Sequence, residues 1–96
     1  MRRSNANDLS AGLGRRIRGR EFQEIRKRCG YRAGELAEML REQNAPITTK
    51  RSIYLLEAER YVPTRYVDAL RALVGAVNFD CILRELDEEA KRRNAE

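Results

Sequence analysis

Apolar residues recur at intervals of three and four along most of the chain, the spacing that gathers them on one stripe of an α-helix. Phe22, Ile25 and Cys29 form the first stripe and predict a helix that begins between Arg15 and Gly19 and ends near Cys29. Gly30 follows as a residue able to take the left-handed conformation beyond a helix end. Leu36, Ala37 and Leu40 mark a second helix over about Ala33–Gln43, with Asn44 as a left-handed stop and Pro46 forbidding continuation. The third helix opens on Thr48 or Thr49, whose hydroxyl can accept an orphan amide N–H. It turns Ile53 and Leu56 inward and ends near Glu59–Tyr61. Pro63 and Thr64 open a fourth helix with Val67, Leu70, Leu73 and Val74 inside, closed by Gly75. A fifth, from about Phe79 to Arg92, points Phe79, Ile82, Leu83 and Leu86 inward. No stretch alternates apolar and polar residues between hairpin turns, so no strand is expected.

Short amphipathic helices are not stable singly, so five of them predict a compact all-α domain held by a shared core. Ahead of it, Ser4, Asn5, Asn7, Asp8, Ser10, Gly12 and Gly14 favour loop over helix and predict a flexible arm over 1–14. Arg15, Arg16, Arg18 and Arg20 make the base of that arm strongly basic. The expected organisation is the arm, a helical domain over 15–86, and a charged helix end over 87–96. There Lys91-Arg92-Arg93 beside Asp87-Glu88-Glu89 reads as a solvated surface.

The 96 residues allow one domain with one modest core. Hydrophobic residues make up 42% and charged residues 36%, which suits a small charged globule and is too apolar for wholesale disorder. No apolar run reaches the roughly 18 residues of a membrane span. Arg2 and Arg3 have no apolar segment behind them, so no signal peptide and a cytoplasmic location are expected. The chain has no histidine, which excludes Ser–His–Asp and Cys–His nucleophile systems and any histidine base. Cys29 and Cys81 lie far apart, without a CxxC pair, and read as half-buried thiols rather than zinc ligands. With no glycine-rich phosphate loop either, neither an enzyme nor a metal or cofactor site is expected.

The distribution of charge changes the picture further. Residues 1–51 hold 13 Lys and Arg against 6 Asp and Glu, a net of +7, whereas residues 52–96 are net −2. A positive field confined to one half points to a polyanionic partner. The sequence Thr48-Thr49-Lys50-Arg51-Ser52-Ile53-Tyr54 then places donors and acceptors in the first turns of a helix with only two clearly inward residues. Reading of base edges in the major groove needs that arrangement: Arg and Lys can bond guanine, and Thr can bond a base or touch a thymine methyl.

The ordered pieces Gly19-Arg20-Glu21-Phe22, Ile25-Arg26, Gly30-Tyr31, Glu35-Leu36-Ala37, Ile53-x-x-Leu56-Glu57 with Pro63 beyond, Leu70 to Gly75 and Phe79-Asp80-x-Ile82-Leu83 resemble the Cro and lambda-repressor (XRE) helix-turn-helix family over roughly residues 18–83. The resemblance implies a lambda-repressor-like five-helix fold and an ion pair of Arg26 with Glu57 that fixes the helix angle. It implies base readout by Thr49, Lys50, Arg51, Tyr54 and Leu55; for Leu55 a dimer contact or a plain surface position is the alternative. Arg32, Thr48, Arg60 and Arg65 are expected on the DNA backbone, and Arg15, Arg16, Arg18 and Arg20 on the backbone or in the minor groove. The chain departs from the family in three places. Ala33 stands where a phosphate-binding glutamine is usual, leaving that contact to Arg32; the turn from Arg41 to Pro46 is several residues longer; and Glu59 occupies a position often held by glycine.

A monomer of this size would touch one half-site, so a homodimer on an inverted repeat is expected, with Leu83 and Leu86 of the last helix as interface residues and Phe79 and Ile82 as core. The leading expectation is a sequence-specific double-stranded DNA-binding transcriptional regulator, a repressor or autoregulator of phage, plasmid or bacterial type. The alternative is a protein-binding module of the same fold, an antitoxin or antiactivator whose main partner is another protein.

Overall fold

The computed structural model describes residues 16–46 and 48–95. These fold into five α-helices: α1 (Gly19–Arg28), α2 (Ala33–Glu42), α3 (Lys50–Ala58), α4 (Thr64–Val74) and α5 (Ala76–Ala95). Among the described residues there is no strand. The proposed arm over 1–14 and Arg15 lie outside them.

Local chemistry sets the boundaries. In α1 the amide of Gly30 bonds the carbonyl of Lys27, and that of Tyr31 reaches back to Arg26. In α2 the amides of Asn44 and Ala45 do the same to Arg41 and Leu40. Both are Schellman closures, which need a left-handed residue; Gly30 (φ 78°) and Asn44 (φ 63°) supply it. Gly75 (φ 96°) turns the chain from α4 directly into α5, and its carbonyl accepts the amide of Phe79. At the other ends, the Glu21 carboxylate accepts the Arg18 amide and Glu35 the Arg32 amide, at 2.9 and 2.8 Å. Acidic side chains so placed also complement the positive helix start.

Every helix gives residues to one core: Phe22 and Ile25, Leu36, Ala37 and Leu40, Ile53 and Leu56, Val67 and Leu70, Phe79 and Leu83. Helix α3 packs between α1 and α2, while α5 lies across α1 and α4. Three sequence-based expectations change here. Leu83 is 2% exposed and belongs to the core of its own chain, not to an interface. The reason is periodicity: Leu83 sits four residues after Phe79 and follows it onto the buried stripe, whereas Ile82 falls at the stripe's edge and is half-buried with Leu86. Helix α5 also begins at Ala76 and runs through the supposed helix end to Ala95, since no glycine or proline interrupts it. Finally, its acidic stretch is not simply solvated: Arg28 of α1 bonds Glu85 at 3.0 Å and Glu89 at 2.9 Å, clamping α5 to α1.

The base of the arm is not loose either. Ile17 is fully buried, and its carbonyl accepts the amide of Val62 at 2.8 Å. The amide of Gly19 bonds the carbonyl of Glu59 at 3.1 Å. A methyl group on Gly19 would come within 2.6 Å of that Glu59 oxygen and nearer still to the carbonyl of Glu57. Glycine is therefore the residue that lets α1 start against the end of α3.

Candidate nucleic-acid interface

Helix α3 is held at both ends. At its start, Thr49 is the N-cap: its hydroxyl accepts the Ser52 amide at 3.2 Å and shares a hydrogen bond with the Ser52 hydroxyl at 3.1 Å. The preceding Thr48 is fully buried and donates its hydroxyl to the carbonyl of Pro46. Its own carbonyl accepts from the Arg41 guanidinium at 3.1 Å, tying the lead-in of α3 to the last turn of α2. The expectation that Thr48 contacts the DNA backbone is corrected accordingly: its side chain is consumed in building the turn.

At the far end, Arg26 and Glu57 meet. The guanidinium Nε lies 2.5 Å from one carboxylate oxygen and Nη2 lies 3.3 Å from the other. The side chains are 11% and 4% exposed. Gln23 donates to the same carboxylate at 3.2 Å, and Arg26 Nη1 donates to the carbonyl of Tyr31 at 3.1 Å. The hydrogen bond to Glu57 holds the Arg26 pKa above its ordinary value against the opposing effect of burial. This pair couples α1, α3 and the Gly30 turn in one network.

The face left between these two anchors is continuous. At 100° per residue, buried Ile53 and Leu56 define the inner side of α3, and Lys50, Arg51, Tyr54, Leu55 and Ala58 fall together on an arc of about 140° opposite them. All five are exposed, Tyr54 at 50% and Leu55 at 56%. With Thr49, the structure thus brings the five expected base-reading residues onto the leading end and outer side of one helix. Arg32 is exposed at the start of α2, Arg60 directly beyond α3 and Arg65 in the first turn of α4. Among the described residues none of Lys50, Arg51, Arg32, Arg60 and Arg65 has a carboxylate partner within ion-pair distance.

Arg16, Arg18 and Arg20 are placed elsewhere. Bonding of Gly19 to Glu59 sets them near the trailing end of α3, about 13 Å along its axis from Thr49. The Arg16 guanidinium stacks 4.0 Å above the Tyr61 ring, and Arg60 lies 5.7 Å from the same ring. Sequence reasoning passed over Ile17 here and gave Gly19 and Tyr61 no part in this contact. The available signal was a lone isoleucine and a glycine alternating with arginines, the period of an extended edge with one buried side.

Cys29 and Cys81 are free and half-buried, and burial pushes the Cys29 thiol pKa up. No cluster of three metal-ligating side chains occurs among the described residues, and no helix there is long and apolar enough to cross a membrane. No family model matches the chain, and neither a characterised protein nor a solved structure does.

Proposed function

We propose that the chain is a double-stranded DNA-binding regulator that inserts the leading end of α3 into the major groove. The observation carrying this reading is the uncovered arc of Lys50, Arg51, Tyr54 and Leu55 on a helix fixed at both ends. A rigid rod whose outer side is cationic, hydroxyl-bearing and partly apolar matches what base edges offer: guanine acceptors to Arg51 and Lys50, a thymine methyl to Leu55. Arg32, Arg60 and Arg65 contribute sequence-independent phosphate contacts around it. Two copies on half-sites one helical turn apart, about 34 Å, would give the affinity one copy lacks. Occupancy of such an operator would act as repression or autoregulation.

Selection of bound fragments from a random duplex pool, followed by gel shifts across a salt series, tests the proposal. Each phosphate contact is expected to add about 0.9 to the slope of log affinity against log salt. Arg51→Ala is expected to lose about 1–3 kcal/mol at a single base pair of the selected site, whereas Arg65→Ala weakens all sequences alike. Failure of the native chain to retain any duplex at low salt would overturn the proposal and favour a protein partner.

A further inference from the structure

The exposed Thr49 and the half-buried Ser52 pair their hydroxyls at the leading end of α3. A hydroxyl has one proton to give and two lone pairs to receive with. One Thr49 lone pair is taken by the Ser52 amide at 3.2 Å, and the Ser52 hydroxyl lies 3.1 Å from the same oxygen. Two placements of the shared proton satisfy that distance, and the charge around the pair decides between them. The unbonded amides of a helix start are positive, the first turn of α3 has no acidic residue, and Lys50 and Arg51 add two cations. Such a field draws oxygen lone pairs toward the helix and turns the proton outward. Ser52 therefore donates to Thr49, both Thr49 lone pairs are occupied, and the Thr49 proton faces away from the helix. Thr49 is left able to donate outward and unable to accept.

We infer that Ser52, by filling the last acceptor position on Thr49, makes Thr49 a donor-only reader of the base it meets. The inference rests on the duplex reading of α3 and adds to it the exclusion of one base. In the major groove guanine offers O6 and N7, thymine O4 and adenine N7 as acceptors, whereas cytosine offers only its amino donor. Cytosine opposite Thr49 would set two donors against each other and leave both unsatisfied. The base facing Thr49 is therefore guanine, thymine or adenine, and cytosine is rejected. Ser52 sets this choice through Thr49 without meeting the base, so it is a positioning residue.

The test uses the full chain, and selection from a random duplex pool gives the base frequencies at every position of the bound site. The position facing Thr49 is the one whose preference Thr49→Ala flattens. There the native chain is expected to disfavour cytosine about tenfold. Asparagine and aspartate are both good N-caps, so Thr49→Asn and Thr49→Asp are expected to retain the native helical circular dichroism. The asparagine amide keeps a donor beside its capping oxygen, so Thr49→Asn is expected to go on rejecting cytosine. Aspartate has acceptors only, so Thr49→Asp is expected to prefer cytosine at that position, even as its added charge weakens binding to every duplex. Ser52→Ala frees a lone pair on Thr49 and is expected to cut the bias against cytosine to about threefold or less, with affinity for the native site changed by less than about threefold. A native preference for cytosine at that position, or an aspartate variant with the same preference as the asparagine variant, would overturn the donor assignment. An unchanged bias in Ser52→Ala would overturn the role of Ser52. Each of these failures leaves a selected site and the duplex reading intact, whereas a native chain that retained no duplex would overturn both together.

Discussion

Replacing Glu57 by glutamine keeps the side-chain volume and removes one charge from the network that sets the angle of α3. Arg26 would then remain charged and 11% exposed, with only neutral acceptors, the glutamine amide oxygen and the Tyr31 carbonyl at 3.1 Å. Breaking a buried ion pair from one side costs about 3–5 kcal/mol, because the surviving charge is neither hydrated nor neutralised. The Tyr31 contact places the expected loss near the lower end, about 3 kcal/mol. For 96 residues a total stability of roughly 5–14 kcal/mol is ordinary, so the change is a large share of the whole. Urea unfolding followed by far-ultraviolet circular dichroism should show the midpoint falling by about 2–3 M, given a slope of about 1–1.5 kcal/mol/M, with the slope unchanged. Two companions calibrate the result. Arg28→Ala breaks only half-exposed and exposed pairs and should cost about 0–1 kcal/mol. Arg26→Met with Glu57→Leu removes both charges and should recover most of the single-variant loss, since no buried ion is stranded. If Glu57→Gln cost no more than Arg28→Ala, or the apolar double variant were no more stable than the single one, the argument from stranded charge would be refuted.

Other expectations follow from the same contacts. Gly19→Ala should destabilise by about 3 kcal/mol or more despite alanine's better helix propensity, because backbone oxygens of Glu57 and Glu59 occupy the methyl's place; a thermal melt unchanged or raised would contradict this. Thr49→Ala should cost about 1 kcal/mol through loss of the N-cap, read as a lower urea midpoint, and Thr49→Asp should restore it. The Arg28 hydrogen bond holds the Glu89 carboxyl below its ordinary value of 4.5, so the stability it contributes is present above that pH and disappears as pH falls through the lowered value. The melting-temperature gap between the native chain and Glu89→Gln should therefore close on acidification, and a gap that widened would reverse the assignment.

Hydrophobic spacing and stop residues were sufficient to place five helices and their inner faces, because both act locally. An apolar residue every three or four positions must bury one stripe, and Gly30, Asn44 and Gly75 turn the chain where a positive φ is required. The outward arc of α3 was legible for the same reason: it is what remains once Ile53 and Leu56 face inward. The partnership of Arg26 with Glu57 was reached through family resemblance and not through spacing, since 31 residues separate them. What only the tertiary structure decided are the contacts made between segments distant in sequence. Ile17 and Gly19 dock on the loop after α3, Thr48 disappears into the turn, Leu83 fills its own core, and Arg28 reaches Glu85 and Glu89. Such contacts depend on how whole helices pack, and packing answers to every side chain at the interface at once rather than to any local period.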